Sequence, residues 1–407
     1  MTREVDVLVV GAGPAGLVAA THLATTGARV EVLERERWPG GAPVHCAHRG
    51  FGTWPHTRTG PAHARLLADA AVRAGADVRT GVTALDWAGP RTLATVGPRG
   101  AETIAARAVL LATGARERPR AARLVPGTRP AGVYTTGELQ RAVHHHGQHI
   151  GDRAVIVGAE AVSHAAADTV RAAGAEVVAL LTELPRTPAR PTLTLNTRLR
   201  HRTPVLTGTT VTELLGHGRL SGVRVRHRDG RTATLRCDTV VFTGDFVPEH
   251  ELARRGALTL DPGTGGPAVD GFLRTTRPGV FAAGSLLHAV ESAATAAREG
   301  AHAATAVHDR LGTHAPDDRP AAVPLLAGPP LLRVTPNRVT PADRLPYLLR
   351  TAIPLTRPVL YVTQDGRPLH RARLPFTTAV PHRPLTLTAR WTHRVDPGGG
   401  PVRVTVA

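Results

Sequence analysis

A chain of 407 residues with an apolar fraction of 42% is long enough for two or three domains with buried cores. Its formal net charge of +18 would suit nucleic acid, but its basic residues are dispersed arginines and only 3% of residues are aromatic, so we expect no nucleic-acid binding. The only cysteines are Cys46 and Cys237, which argues against a disulfide framework and a metal site of thiolates. No run of 18 apolar residues occurs, so we expect no membrane span and a cytoplasmic protein.

The N-terminal region combines every part of a dinucleotide-binding pattern. An apolar run over residues 5–10 predicts a buried parallel strand, and the glycine-rich turn G-A-G-P-A-G follows it at residues 11–16. A helix over residues 17–26 and a strand over residues 28–33 then lead to Glu34. Strand, glycine turn, helix, strand and terminal acid together predict a dinucleotide site.

Each position of this pattern has a physical role. Gly11 permits the tight turn, Gly13 lets the backbone approach a pyrophosphate, and Gly16 lets the helix pack closely on the strand. The helix N-terminus offers free N–H groups and partial positive charge to the phosphates. Glu34 would accept hydrogen bonds from the adenosine ribose.

A second copy of the architecture begins near residue 154, but its ligand chemistry differs. Glu160 and Ser163 stand where the second and third glycines would be, and Leu181 takes the place of the terminal acid. A carboxylate would repel a pyrophosphate, and a side chain would block its close approach. Glu183 could still bind a ribose, but we predict that NAD(P)H binding at this second site is weak or lost.

Two further predicted strands, each ending in a glycine-containing motif, follow later in the chain. Residues 107–111 predict a strand that ends in Ala112-Thr113-Gly114, and residues 276–284 predict a strand that ends in Val-Phe-Ala-Ala-Gly and leads into a helix through Gly300. With the first turn, these motifs resemble the two-dinucleotide-binding-domain flavoprotein superfamily over roughly residues 3–312. The resemblance implies FAD in the first domain and NAD(P)H, doubtful here, in the second. Ser285 replaces the aspartate that usually bonds the FAD ribityl chain.

A narrower resemblance rests on two segments. Residues 40–52, G-G-A-P-V-H-C-A-H-R-G-F-G, and residues 113–120, T-G-A-R-E-R-P-R, are similar to the FAD subunits of opine oxidases, hydrogen cyanide synthase and the alpha subunit of sarcosine oxidase. This resemblance implies a small-molecule amine substrate, a second flavoprotein subunit and an iron–sulfur partner. Because this chain has no cysteine cluster, any cluster would have to come from that partner.

The resemblance and the motifs together assign candidate site residues. Cys46, His48 and His288 are catalytic candidates: a thiolate or sulfenic acid near the flavin, a flanking histidine that could lower its pKa, and a proton carrier at a helix start. A structural thiol and an ordinary capping histidine are the alternatives, and no metal site is expected, including at His144-His145-His146. The residues expected to bind FAD are Gly11, Gly13, Pro14, Ala15, Gly16, Glu34, Arg35, Val82, Ala112, Thr113, Gly114, Gly284 and Ser285.

The C-terminal residues 313–407 differ in composition, with many prolines, an excess of arginine over acid and an Asp-Gly hairpin signal at residues 365–366. We predict a linker followed by a small β domain that could contact a partner subunit. The predicted fold class is α/β, with two Rossmann-like domains, the second inserted in the first. The FAD domain would take residues 1–117 and 246–312, and the degenerate second domain would take residues 118–245.

These observations leave three functional hypotheses. The first is an FAD-dependent oxidoreductase that oxidises an amine- or opine-type substrate, or relays its electrons within a heteromeric complex. The second is an NAD(P)H-dependent peroxidase or reductase that uses Cys46 as its single cysteine. The third is a non-catalytic subunit that binds nucleotide for assembly.

Overall fold

The structure, a computed structural model, describes residues 2–52, 55–312, 321–374 and 378–407. The chain forms two compact units. Unit 1 comprises Met1–Val44, Phe51–Arg116 and Pro248–Ala407, and unit 2 comprises His45–Gly50 and Glu117–Val247. The predicted three-domain division stays a prediction. The described residues of the predicted linker and β domain, 321–374 and 378–407, belong to unit 1, and residues 313–320 at its start lie outside the described residues.

The seven-stranded sheet of unit 1 is parallel at its centre and antiparallel at one side. Its strands are β1 Thr2–Val10, β2 Val30–Glu34, β5 Asp77–Thr80, β6 Thr83–Gly89, β7 Thr92–Gly97, β8 Gly100–Leu111 and β19 Val280–Ala282; the short strands β3 Arg49–Phe51 and β4 Arg58–Thr59 lie outside this sheet. β1 lies between β2 and β8, and β5 extends the sheet beyond β2. β8 also pairs with β7 and β19, and β6 lies beyond β7.

Small and branched apolar side chains build the core of this unit. β2 and the ends of β1 and β8 are buried on both faces, as expected for parallel strands covered by helices. Alanine and glycine on α1 and α8 let these two helices pack closely, because a Cβ at Gly300 would clash with the Ala15 backbone. The helices are α1 Pro14–Thr25, α2 Gly60–Arg73, α6 Glu251–Arg255, α7 Ser285–His288 and α8 Ala293–Gly312, with a 3₁₀ turn at Ala42–His45.

Unit 2 repeats the parallel arrangement with a second, smaller sheet beside it. The parallel sheet has the order β10-β17-β11-β12-β13, and a three-stranded antiparallel sheet has the order β14-β15-β16. Its elements are β10 Val133–Thr135, α3 Thr136–His144, β11 Arg153–Val157, α4 Ala161–Ala172, β12 Glu176–Thr182, α5 Pro191–Leu199, β13 Val205–Thr207, β14 Thr209–Leu215, β15 Gly222–His227, β16 Thr232–Leu235 and β17 Thr239–Phe242; β9 Ala115–Glu117 and β18 Phe246–Pro248 lie at the unit boundary, and a 3₁₀ turn spans Arg120–Arg123.

The tail folds into β-structure around its own core of buried residues, which includes Tyr347 and Trp391. Two sheets, with the orders β22-β20-β29-β25-β26 and β21-β23-β28, and one short strand pair form it. The strands are β20 Val323–Ala327, β21 Leu331–Thr335, β22 Arg338–Val339, β23 Tyr347–Thr351, β24 Leu355–Thr356, β25 Val359–Gln364, β26 Arg367–Arg373, β27 Thr378–Ala379, β28 Leu385–Leu387 and β29 Val402–Val406, with a 3₁₀ turn at Thr392–Arg394.

Three local predictions, a hairpin turn, a strand and a helix, can be compared directly with the structure. Asp365 and Gly366, both at positive φ, form the turn of the β25–β26 hairpin, as the Asp-Gly signal predicts. The strand predicted for residues 385–391 ends at Leu387, because residues 389–392 turn instead. The helix predicted to run from Gly284 through Gly300 is interrupted: α7 ends at His288, and Ala289 takes a φ of +67° before α8 begins.

Candidate functional site

The three glycines of the first turn lie in different environments. A Cβ at Gly11, where φ is +108°, would clash with the Ala112 carbonyl oxygen, and a Cβ at Gly16 would clash with the Gly11 carbonyl oxygen. A Cβ at Gly13 would meet nothing closer than the Gly41 Cα atom, 4.0 Å away. Gly11 and Gly16 therefore permit close packing, while open space lies in front of Gly13, as an approaching pyrophosphate requires.

Helix α1 leaves its N-terminal amides free for an anion. Gly13 is its N-cap and provides no side-chain cap, Pro14 occupies the first turn, and no acidic residue lies there. The amides of Ala15 and Gly16 therefore carry the unsatisfied donors and the partial positive charge of the helix terminus. This turn fits the pyrophosphate of a dinucleotide.

The Glu34 carboxylate sits at the end of β2 beside this turn. Its Oε2 accepts a hydrogen bond from the Ala12 N–H at 3.0 Å, and its Oε1 accepts one from the Glu36 N–H at 2.9 Å. Burial raises the pKa of Glu34, although both backbone donors oppose the rise. Each oxygen keeps a lone pair for a ribose hydroxyl. Val82 is buried and its N–H donates to the Glu34 carbonyl oxygen, while Arg35 is exposed.

The Ala-Thr-Gly segment is held at the end of β8. The Ala112 N–H donates to the Val10 carbonyl oxygen at 2.8 Å, which keeps this segment beside the end of β1. The Thr113 hydroxyl donates to the Glu249 carbonyl oxygen at 2.8 Å, and the Glu249 N–H donates to the Gly114 carbonyl oxygen at 2.9 Å. The predicted cofactor residues of β1, β2 and β8 thus meet at the carboxyl edge of one parallel sheet.

A buried carboxylate organises the turn after β19. Glu299 Oε2 accepts the Gly284 N–H at 2.9 Å, and both Glu299 oxygens lie 3.1 Å from His288 Nε2. His288 is only 3% exposed, and its Nδ1 has no partner among the described residues. The half-buried Ser285 makes no side-chain hydrogen bond with the residues described, so its hydroxyl is available to a cofactor. His288 therefore has a structural contact that its predicted catalytic role did not include.

The turn of the second copy is filled by its own carboxylate. Glu160 is the N-cap of α4; its Oε2 accepts the Ala159 N–H at 2.9 Å and its Oε1 accepts the Thr243 hydroxyl at 2.8 Å. The Ser163 and Thr243 hydroxyl oxygens lie 2.7 Å apart, and a Cβ at Gly244 would clash with Glu160. A carboxylate of the protein thus lies in the turn that a pyrophosphate would need, although it makes no hydrogen bond to the α4 amides.

Three carboxylates of unit 2 lie near the Arg123 guanidinium. Its Nη1 donates to the Thr243 carbonyl oxygen at 2.9 Å, and the carboxylates of Asp245, Glu117 and Glu160 act on it electrostatically. Burial lowers the pKa of Arg123, and these carboxylates oppose that change. The guanidinium therefore has nearby counter-charges, while its Nη2 has no hydrogen-bond partner among the described residues.

Cys46 is half-buried in unit 2 and lies in surroundings that do not activate a thiol. Its thiol donates to Gln140 Oε1 at 3.6 Å. Burial raises the pKa of the Cys46 thiol to about 11; the Gln140 hydrogen bond opposes the rise and the Glu117 carboxylate adds to it. The nearby predicted candidate His48 is half-buried, with its Nδ1 2.9 Å from the Arg49 carbonyl oxygen. These surroundings favour the structural-thiol alternative.

The histidine run at the end of α3 contacts the segment that carries Cys46. His45 Nδ1 lies 2.9 Å from His145 Nε2, and Arg141 Nε donates to His45 Nε2 at 3.3 Å.

Within the described ranges, no group of three or more His, Cys, Asp or Glu residues could hold a metal ion. Across the same ranges, every helix is too short or too polar to cross a membrane.

Sequence reasoning missed Glu299 and the pair Glu291–Arg350. Glu299 lies inside a helical segment, and nothing in its spacing indicates that it reaches back to Gly284. Arg350, in β23, donates to the Glu291 carboxylate and to the Val290 carbonyl oxygen, the latter at 2.8 Å. The break between α7 and α8 creates this contact, and no glycine or proline marks the break.

Comparisons with known proteins agree with this geometry. A family model described as pyridine nucleotide-disulphide oxidoreductase matches residues 5–300. A thioredoxin reductase of Mycolicibacterium smegmatis is 30% identical over 306 residues, 72% of this chain and 93% of that protein. An opine oxidase subunit of Agrobacterium tumefaciens (strain Ach5) is 27% identical over 313 residues, 69% of this chain and 60% of that protein.

Among solved structures, the thioredoxin reductase of T. acidophilum matches with a TM-score of 0.66 and 23% identity, over 76% of this chain and 100% of that one. At this level of identity the likeness bears on the fold alone. It confirms the predicted α/β class with two Rossmann-like domains.

Proposed function

The chain belongs to the pyridine nucleotide-disulphide oxidoreductase family, whose members use FAD, and on that premise we propose that it oxidises an amine- or opine-type substrate or relays electrons from one. The membership confirms the superfamily resemblance and the FAD prediction made from the motifs. The proposal adds a donor class, and it assigns NAD(P)H no role as electron source.

FAD, when bound, accepts two electrons from a donor and passes them to an acceptor. The residues proposed to hold it are those at the carboxyl edge of the unit 1 sheet. The α1 amides beside Gly13 would bind the pyrophosphate, and Glu34 would accept ribose hydroxyls. The hydroxyl of Ser285 would donate or accept one further hydrogen bond, and Glu299 would keep the Gly284 turn in place.

One observation carries the exclusion of NAD(P)H: the Glu160 carboxylate lies at the N-terminus of α4. A pyrophosphate at this turn would face a negative charge at contact distance, where the repulsion is roughly 4 kcal/mol per unit-charge pair at an effective dielectric constant of about 20. The Thr243 hydroxyl and the Ala159 N–H, which a phosphate would otherwise use, already donate to Glu160.

The environment of Cys46 supports an electron path that does not involve a thiolate. A thiol with a pKa of about 11 is almost entirely protonated near neutral pH, so it is a poor nucleophile. The sequence also has no Cys-x-x-Cys pair, unlike a dithiol reductase. Both facts weigh against the single-cysteine peroxidase or reductase hypothesis.

The proposed class of electron donor, an amine or opine, rests on similarity to other proteins. The segments at residues 40–52 and 113–120 resemble those of opine-oxidase-type FAD subunits, and the Agrobacterium opine oxidase subunit is one of the relatives found. That relative is part of a larger enzyme by its name, which supports a heteromeric assembly for this chain as well. The chain covers 60% of that relative, so the partner and the substrate stay parts of the proposal.

The test is anaerobic stopped-flow absorbance of the FAD-loaded chain mixed separately with NADH, NADPH, sarcosine and an opine such as octopine. We expect no flavin bleaching by either nicotinamide and bleaching by a secondary amine, with the chain alone or with a co-purifying subunit. Fast bleaching by NADH or NADPH would overturn the proposal. An inert flavin with every donor and with the subunit present would favour a non-catalytic assembly role.

A further inference from the structure

The Arg333 side chain in β21 carries a positive charge and is half-buried. It makes no hydrogen bond and no ion pair with any residue that the structure describes. Its Nε is fully shielded from solvent. Burial lowers the pKa of Arg333, and the neighbouring Arg350 adds to this effect. A guanidinium whose Nε is shielded from water and has no acceptor in the protein is unfavourable, so a bound acceptor would stabilise it.

A second arginine lies directly opposite. Arg333 and Arg350 are paired in register across the antiparallel strands β21 and β23, so their side chains leave the same face of the sheet. Arg350 is 6% exposed, and although its Nη2 bonds to Glu291 and Val290, its Nη1 has no partner among the described residues. Like charges at facing positions repel each other unless an anion lies between them.

The carboxylates nearby do not complete this arrangement. Glu291 is buried and its ion pair is with Arg350; it acts on Arg333 only at longer range. Asp261 also attracts Arg333 at a distance, but its Oδ2 accepts the Thr264 N–H at 2.7 Å instead of bonding the guanidinium. Unpaired donors on both arginines therefore remain after the internal acids are counted.

We propose that Arg333 and Arg350 form a binding site for an oxyanion, either a carboxylate of a small ligand or a phosphate. Guanidinium groups match the planar geometry of such groups and can bind them with two parallel hydrogen bonds. The site borders Val290 and Glu291, in the turn that follows the Gly284–Ser285 segment expected to hold the flavin end. It would therefore let the C-terminal β region take part in ligand binding, whether or not the chain oxidises an amine.

The experiment measures the thermal midpoint of the FAD-loaded chain against sodium succinate and, separately, sodium phosphate, with sodium chloride at matched ionic strength. We expect one of the oxyanions to give a saturable rise of about 2–5 °C that chloride does not give. Arg333→Met should abolish this rise and leave the midpoint without oxyanion unchanged or higher, because it removes an unpartnered buried cation. Arg403→Met, the same change at an exposed site in β29, should keep the rise.

Two further measurements identify the source of the anion and guard against misfolding. Glu291→Gln removes the internal competitor and should strengthen oxyanion binding about tenfold. The two salts separate the sources: a larger rise with succinate indicates a ligand carboxylate, and a larger rise with phosphate indicates a ligand phosphate. FAD titration of the apo-chain is the folding control, and Arg333→Met should bind FAD as the unmodified chain does, because the FAD pyrophosphate is assigned to the α1 amides. The proposal is wrong if neither oxyanion raises the thermal midpoint more than chloride does, or if Arg333→Met keeps the full rise.

Discussion

The Glu160 carboxylate accepts a hydrogen bond from the Thr243 hydroxyl at 2.8 Å, and this contact holds the carboxylate in the space of the second dinucleotide turn. Glu160 is the N-cap of α4, the position at which a phosphate would meet the helix amides. At the equivalent place in unit 1, Gly13 leaves open space and free amides. The two turns share a backbone path and differ in whether the anion comes from the protein or from a ligand.

Restoring the glycines should therefore reopen the second turn. We expect the double variant Glu160→Gly/Ser163→Gly to bind NADH at least tenfold more tightly than the unmodified chain, because it removes both the charge and the steric block. Equilibrium titration with NADH fluorescence measures the affinity directly. Glu176→Gln, a change at an exposed acid at the start of β12, the strand end far from the turn, is the matched control and should have little effect. Equal NADH affinity in the double variant and the unmodified chain would show that Glu160 is not the block.

Gly13→Ala should abolish or strongly weaken FAD binding without unfolding the chain. The φ of Gly13 is −78°, which alanine adopts readily, and its Cβ would meet only the Gly41 Cα atom at 4.0 Å. The methyl group would instead occupy the space of the pyrophosphate, so we expect at least a tenfold loss of FAD affinity. The ratio of flavin to protein absorbance after purification measures it. Gly312→Ala, at a position with open surroundings, should bind FAD normally; full FAD retention by Gly13→Ala would contradict the assigned site.

Cys46 should behave as an inert thiol. With a pKa of about 11, its thiolate fraction at pH 8 is on the order of 10⁻³, so iodoacetamide should modify it more than about 100-fold more slowly than a free cysteine. Mass spectrometry of the native chain over time gives the rate. Cys46→Ser should keep FAD and keep any substrate-driven flavin reduction within about twofold. Loss of that reduction with FAD still bound would restore the single-cysteine mechanism.

The sequence predicted the parts of this fold that depend on local rules. Gly11 and Gly16 avoid clashes with nearby backbone atoms, Gly13 leaves space for a ligand, and continuous apolar runs mark the buried strands, so the first turn and its carboxyl-edge site could be anticipated. The Glu160 substitution was likewise visible, because a carboxylate replaced a glycine within a known pattern. Its hydrogen bond to Thr243 could not be anticipated, since that residue lies just after a strand far along the chain.

The buried charges escaped prediction for the same physical reason. Whether Glu299 contacts Gly284, or Arg350 contacts Glu291, depends on how a turn at Ala289 redirects the chain, and a non-glycine residue with positive φ carries no sequence signal. The predicted catalytic role of His288 arose from its place after Gly284 alone; its burial against Glu299 became evident only from packing.

Glu299 should hold the turn after β19. Glu299→Ala would leave the Gly284 N–H and the buried His288 imidazole without their acceptor, which we expect to cost about 2–4 kcal/mol of unfolding free energy and to weaken FAD binding. Urea unfolding and FAD titration measure the two effects. Glu299→Gln keeps one carbonyl acceptor and should lose less than half as much stability. Two variants with equal and small losses would mean that the Gly284 contact contributes little.

Asp238 gives unit 2 a defined acid sensitivity. Burial alone would raise its pKa, but hydrogen bonds from the Asp152 and Arg153 N–H groups and from the Thr239 hydroxyl outweigh burial and lower it below the ordinary 3.8. Because the folded state holds the proton less tightly than the unfolded state, the stabilisation is complete above pH 3.8 and is lost as the pH falls through the lowered value.

The free energies of unfolding of the unmodified chain and of Asp238→Asn should therefore differ at neutral pH and become more similar in acid. At pH 7, Asp238→Asn should lower the free energy of unfolding by about 1–2 kcal/mol, because the amide offers one acceptor where the carboxylate offers two. As the pH falls below 3.8 the gap should shrink, since the carboxylate of the unmodified chain becomes protonated and loses its advantage. Urea unfolding at pH 7, 5 and 3 gives the gap at each pH, and Asp152→Asn, at a neighbouring exposed acid, should show almost none. A gap that stayed constant from pH 7 to pH 3 would mean that the Asp238 charge is not what stabilises this strand edge.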